Sequence, residues 1–313
     1  MKRLISLVVS LIILAIIYWK IDFQGLIKVL ANCNPWWMAI SLGMVIPLTM
    51  FTAWRLQQLM PSSTLGFGEA NRLILAASVL NMVLPSKMGD IAKAYFLKQR
   101  GHLDGSLSLS LVVFEKTCDL LSLLLWCVFG LCFYRQQDWW LGLMSLLVAV
   151  GLVCGILLLS SRKMAKIFFL VSKRFAPKKL RSKLEKLQTS WGEMHDYFWR
   201  DQGQLLKITI TSIFIWFLHL LQIWLFILAL NAWTPFLANL ALSPLAILAG
   251  LLPLTFAGVG TRDAALIWFY QPYLSTPIAA ALGLLCTSRY LLPAIGGLPF
   301  LGQYLEGGVM SNE

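Results

Sequence analysis

The chain has 313 residues, of which 58% are hydrophobic and only 13% charged, and its formal net charge is +12. Soluble domains run at about 45–50% apolar and about 25% charged, so these charges are too sparse to coat a water-facing surface and an ordinary soluble enzyme is excluded. The basic excess lies at the ends of apolar runs and in one loop, as orientation signals do. The expected partner is therefore anionic membrane lipid and not nucleic acid.

In chain order, Met1-Lys2-Arg3 followed by Leu4 to Trp19 has the start of a signal peptide but no small-residue cleavage pattern after it, and it reads as a retained first span. Crossing about 30 Å of hydrocarbon takes about 20 residues. Trp36 to Trp54, Ser106 to Phe133, Trp139 to Ser160, Leu205 to Leu230 and Ile278 to Leu301 complete a set of six spans, several of them ending on interfacial tryptophans. Two apolar stretches fall outside this set. Leu73 to Leu84 is too short to cross, and Leu240 to Ala257 is interrupted by Pro244 and Pro253.

The segment from Ser161 to Lys207 holds 12 Lys/Arg against 4 Asp/Glu, a net of +8, and it should lie in the cytoplasm together with Lys2-Arg3. Both can do so only if an even number of crossings separates them, so Leu73 to Leu84 turns back to the side it entered from. The segment from Leu240 onward does the same from the outer side, and the C-terminus ends in the cytoplasm. The expected fold is an all-α polytopic membrane protein with about six spanning helices plus two re-entrant broken helices, in a cell or inner membrane. Residues 1–301 form one domain, with halves at roughly 36–133 and 205–301, and residues 302–313 form a short tail. In the basic loop, Leu180, Leu184, Leu187, Trp191, Met194 and Phe198 draw one apolar stripe among Lys178, Lys179, Arg181, Lys183 and Lys186. This fits an amphipathic helix on an anionic leaflet, or a solvated connector.

The two halves have the same order and opposite direction: span, broken segment, span. The first break carries Pro85, Lys87, Gly89 and Asp90, and the second carries Pro253, Gly258, Gly260, Arg262 and Asp263. Each following helix holds charge at a matching distance, Glu115 25 residues past Asp90 and Arg289 26 past Asp263. Discontinuous helices at corresponding places in inverted halves point to a transport site near the bilayer midplane. Glu115, Lys116 and Asp119 lie deep in their helix, where an uncompensated charge costs at least about 2.5–3.5 kcal/mol. Lys116 reaches Asp119 at i+3, and Arg289 is a further candidate partner for Glu115 or Asp119; such ion pairs hold a structure together, serve a substrate, or do both as a gate. The amide groups that start each half-helix suit an anion, with Lys87, Arg262 and Arg289 as headgroup contacts; Asp90 and Asp263 also suit helix capping. The six cysteines and three histidines make no metal or nucleophile pattern, and no cofactor is expected.

Three separated motifs carry a resemblance: Asn81 with Pro85-Ser86-Lys87-Met88-Gly89-Asp90, then Glu115-Lys116-Thr117-Cys118-Asp119-Leu120-Leu121, then Gly258-Val259-Gly260-Thr261-Arg262-Asp263. Over roughly Leu4 to Leu301 the sequence resembles the lysylphosphatidylglycerol synthase transmembrane (flippase-like) family, which includes small UPF0104-type membrane proteins. It departs from the family's usual residues at Lys87, Lys116, Ala257 and Asp263. The resemblance implies movement of a phospholipid, glycolipid or polyprenyl-linked lipid between leaflets, without the soluble aminoacyl-transfer domain of the synthases. Transport without catalysis is the expected activity. A membrane-embedded lipid-modifying enzyme using Glu115 or Asp119 as base, and a lipid-binding scaffold, remain the alternatives. A second copy of the chain or a lipid-synthesis enzyme is compatible as protein partner.

Overall fold

The computed structural model describes residues 23–60, 65–83, 89–100, 103–133, 139–175, 178–251 and 260–306. Among these residues every regular element is an α-helix. Residues Leu4 to Trp19, Pro85, Lys87, Pro253 and Gly258, which figure in the reading above, lie outside the described residues.

Helix α1 covers Phe23–Ala31, α2 Pro35–Gly43 and α3 Val45–Leu59. Asn34 starts α2: its side-chain oxygen accepts from the amides of Trp36 (3.1 Å) and Trp37 (3.3 Å), and Pro35 occupies a first-turn position where no N–H is needed. Helix α4 covers Phe67–Val83, α5 Gly89–Gln99 and α6 Gly105–Phe133. Then come α7 (Trp139–Ser160), α8 (Arg162–Phe175), α9 (Lys178–Arg200) and α10 (Gln202–Ala229). The last are α11 (Phe236–Gly250), α12 (Thr261–Tyr270) and α13 (Thr276–Glu306).

Among the described residues four stretches are long and apolar enough to cross a membrane: Pro35–Leu59 (α2 with α3), Leu141–Ser160 in α7, Gln202–Ala229 (α10) and Thr276–Tyr304 in α13. Helix α6 is as long, at 29 residues, and carries Glu115, Lys116 and Asp119 in its middle. The chain is a multi-pass integral membrane protein with an all-helical fold.

Helix neighbours follow a regular scheme. In the first half α3 packs on α4, α4 on α5 and α5 on α6; in the second α10 packs on α11, α11 on α12 and α12 on α13. The halves join by exchange, α4 lying against α13 and α11 against α6, with α2 and α3 against α10. Glycine lets two of these crossings close: a side chain on Gly130 of α6 would strike the Ala241 carbonyl of α11, and one on Gly297 of α13 would strike that of Leu75 in α4. Close approach of backbones is how helices bind one another where lipid offers no hydrophobic driving force. Interhelix hydrogen bonds add to it. Gln222 donates to the Ser41 carbonyl at 2.9 Å, and Asn239 to that of Leu220 at 2.9 Å.

Among the described residues two large apolar cores result, with a small third around Leu48, Ile215 and Leu218. One surrounds the first half of α6 with α4, α5, α8 and α9, through Leu73, Phe96, Phe114, Phe169 and Phe198; the other joins the second half of α6 to α10, α11, α12 and α13, through Leu124, Phe226, Leu245 and Phe269. The basic loop is two helices, α8 and α9, and the second corrects the expectation of a lipid-lying stripe. Trp191, Met194 and Phe198 are buried, with Phe198 stacked on Phe114 of α6 at 4.2 Å between centroids and Trp191 edge-on to Phe169 of α8. The apolar stripe of α9 therefore closes the protein's own core, because α6 presents Phe114 to it.

Candidate functional site

The charges of α6 need partners, and the fold supplies them from two other helices. Glu115 is held on both oxygens: Arg55 of α3 donates from Nη2 to Oε1 at 3.0 Å, and Lys93 of α5 pairs with Oε2. Arg55 uses Nη1 on Asp119 Oδ1 and, at 3.1 Å, on the Ser212 hydroxyl of α10. Asp119 meets Lys116 at 3.4 Å through Oδ2, and Lys116 meets Asp90 of α5 at 3.2 Å. The result is one chain of alternating sign, Lys93–Glu115–Arg55–Asp119–Lys116–Asp90. Three positive and three negative charges sum to zero, which is what a low-dielectric site requires.

This chain has a dry end and an open end. Arg55 and Glu115 are each 1% exposed, while the Lys116 side chain is 46% exposed and those of Asp119 and Asp90 are partly so. One turn along the same face of α6 from Lys116, Leu120 begins the wall of an apolar cleft of about 640 Å³ between α6, α7, α11 and α12. Leu124, Leu147, Leu248 and Trp268 also line it. Such a lining suits a hydrocarbon chain.

The second half places its charges differently. Gly260, with φ of 99°, turns the chain into α12 in a conformation that residues with a side chain rarely adopt. Its amide donates to Asp263 Oδ2 at 3.0 Å, so Asp263 caps α12 as expected of one of its two roles. Arg262 turns onto the other oxygen of the same carboxylate, at 2.7 and 3.0 Å, and continues to the Gly283 carbonyl (3.0 Å) and the Thr287 hydroxyl (2.8 Å) of α13. Gly283 leaves room for that carboxylate and Gly250 for the Arg262 stem.

Arg289 corrects an expectation. It does not meet Glu115 or Asp119; its Nη1 donates to the His219 carbonyl of α10 at 3.4 Å and its guanidinium lies 5.7 Å from the Tyr290 ring. Arg55, from the end of α3, stands in the place the reading gave to Arg289. Arg262, Asp263 and Arg289 together carry a net charge of +1, all three buried. Arg262 Nη1 and Arg289 Nε have no hydrogen-bond partner among the described residues. Buried guanidinium donors with capacity left over suit an anionic oxygen. Among the described residues no group of three His, Cys, Asp or Glu is placed to hold a metal.

Of the predicted residues, Asp90, Glu115, Lys116 and Asp119 come together in one network, and Arg262 with Asp263 in another. Gly89 is buried where α5 starts, against Ala77 and Asn81 of α4. Sequence spacing does not identify Arg55 and Lys93 as network members; the fold brings them to Glu115. Arg55 follows Trp54 at the end of an apolar run and reads as an interfacial charge. Its signal was electrostatic: α6 holds two carboxylates and one lysine, and a further cation has to come from elsewhere.

The family model described as the lysylphosphatidylglycerol synthase TM region matches residues 3–297. A curated relative, a UPF0104 membrane protein of Methanocaldococcus jannaschii, is 25% identical over 316 residues, covering 95% of this chain and 93% of its own. With that match running through both charge networks and nearly the whole chain, the protein belongs to the lysylphosphatidylglycerol synthase TM region family.

Proposed function

We propose that the protein moves a lipid with an anionic or zwitterionic headgroup, a phospholipid, glycolipid or polyprenyl-linked lipid, between the two leaflets of its membrane. The observation that carries this reading is the pair of buried charge networks, each built beside the start of a half-helix (α5 and α12) and closed by the long helix that follows it (α6 and α13). One network is neutral, with each of its carboxylates paired and an accessible end at Lys116, and Arg55 Nε is its buried donor without a partner among the described residues. The other pairs Arg262 with Asp263, and Arg289, buried further along α13, adds one positive charge; both guanidiniums have a donor to spare. A phosphate-bearing headgroup would meet the spare donors of Arg262 and Arg289, while its chains keep to apolar surface such as the cleft beside Leu120.

The reading includes an inverted repeat with two re-entrant broken helices, which the pairing of helices supports. Exchanging α3, α4, α5 and α6 for α10, α11, α12 and α13 turns the packing of α4 on α13 into that of α11 on α6, and α4 on α5 into α11 on α12. In this arrangement both termini face the cytoplasm, and the halves rock about Glu115, Arg55 and Asp119 as a gate. The reading assigns transport and no bond-making chemistry.

The test is leaflet-resolved movement of headgroup-labelled lipids in proteoliposomes. Flux above empty vesicles for at least one lipid class is expected, falling in Arg289→Ala and in Arg262→Ala while Trp fluorescence reports an intact fold. Rates equal to empty vesicles across phospho-, glyco- and polyprenyl-phosphate lipids would refute transport. A chemically new lipid in the same vesicles would establish the lipid-modifying alternative instead.

A further inference from the structure

Helix α8 has a use that the charge networks do not explain. Its sequence, Arg162-Lys163-Met164-Ala165-Lys166-Ile167-Phe168-Phe169-Leu170-Val171-Ser172-Lys173-Arg174-Phe175, holds five cations and no acid. Ala165 and Phe169, one turn apart, are buried against α9 and fix the helix to the body of the protein. Met164, Ile167, Phe168 and Val171, spaced by three and four, form the opposite face and are 37–55% exposed. Two of the cations are committed to α9: Arg162 pairs with Asp196, and Lys173 with Glu185 at 3.5 Å. Lys163, Lys166 and Arg174 have no acidic partner among the described residues and are exposed.

The position of α8 decides what covers that apolar face. It begins one residue after α7, which of the four long apolar stretches among the described residues is the least buried in the protein, at 11%. Ser161 separates the two helices and caps the start of α8, its hydroxyl accepting from the Met164 amide at 3.4 Å and its carbonyl from the Ala165 amide at 2.9 Å. Trp199 of α9, partly exposed, donates its indole N–H to the Leu159 carbonyl at 2.8 Å, which marks the end of α7 as the level where amphipathic rings lie. The exposed stripe of α8 is thus continuous with the lipid-facing surface of α7. The helix follows α7 after a single residue, and it carries the cations Lys163, Lys166 and Arg174, unpaired among the described residues.

We propose that α8 is an interfacial helix that seats Met164, Ile167, Phe168 and Val171 among the outermost carbons of an anionic leaflet, with Lys163 and Arg174 on lipid phosphates. The face binds phospholipid through apolar depth and net positive charge together. This assignment is independent of transport: it concerns how the protein docks to its leaflet, and stands whether or not lipid crosses.

The experiment uses the full chain in nanodiscs, either phosphatidylcholine alone or phosphatidylcholine with phosphatidylglycerol. The exposed Cys132 and Cys154 and the half-exposed Cys33 are replaced by Ser, and an environment-sensitive fluorophore is attached at Phe168→Cys or at Lys166→Cys. Lipids carrying shallow nitroxide quenchers are then added. Strong quenching at position 168 and weak quenching at 166 are expected, with a larger seated population, read from fluorescence lifetimes, when phosphatidylglycerol is present. Replacing Lys163 by Gln should lower the seated-to-unseated ratio about fivefold in anionic discs, and Lys163→Gln with Arg174→Gln about 25-fold, with no change in phosphatidylcholine. Equal quenching at 166 and 168, an identical seated population in both discs, or a label at 168 shielded from the quencher by protein would each overturn the proposal.

Discussion

Removing Arg55 is the sharpest perturbation of the neutral network, because one guanidinium holds two carboxylates, Glu115 at 3.0 Å and Asp119, plus the Ser212 hydroxyl at 3.1 Å. Arg55→Met keeps the volume roughly and leaves two cations against three anions, a net of −1 in a site where Glu115 is 1% exposed. Breaking a buried pair from one side costs about 3–5 kcal/mol, since the surviving charge is stranded. The second variant, Arg55→Met with Asp119→Asn, leaves Lys93 on Glu115 and Lys116 on Asp90, two intact pairs and no net charge. It should therefore be more stable than Arg55→Met alone, with a coupling of about 2–3 kcal/mol between the sites. Arg55→Lys keeps the charge and loses the fork, so one charged hydrogen bond, about 1.5–3 kcal/mol, is forfeited. The assay is reversible unfolding in mixed micelles followed by tryptophan fluorescence. If Arg55→Met lies within about 0.5 kcal/mol of the parent, or the double variant costs the sum of the single ones, the network is not what compensates α6.

Gly130→Val should separate α6 from α11, because the added methyls meet the Ala241 carbonyl; overpacking of this kind costs about 1–3 kcal/mol, read in the same unfolding assay, and an unchanged midpoint would contradict the close crossing. His195 of α9 gives a pH dependence. Burial lowers its imidazole pKa below the ordinary value of about 6.5, so as pH falls the unfolded segment takes up the proton first. The stability of α9 should hold above about pH 6.5 and decline below it, seen as faster amide exchange in α9 after correction for intrinsic rates. His195→Gln should abolish the decline, and a persisting slope would assign it elsewhere.

Composition and periodicity determined much of this protein directly. Few charges in an apolar chain mean a membrane, and runs of about 20 apolar residues mean spanning helices, because the hydrocarbon core offers backbone polar groups no partner and a helix pairs them within its own segment. The i, i+3 relation of Lys116 to Asp119 and the cap by Asp263 were legible because both are local. Tertiary structure alone decided the rest. Arg55 lies 60 residues from Glu115 and 64 from Asp119, and sequence spacing carries no information about which distant cation answers a buried carboxylate. The amphipathic pattern of the basic loop was visible, yet periodicity reports only that a face is apolar. The packing of Phe198 on Phe114 gave the α9 face to the protein interior and left α8 with the uncovered one. Arg289 shows the same limit from the other side: it is buried where its depth in the chain suggested, against a carbonyl of α10 and away from the carboxylates of α6.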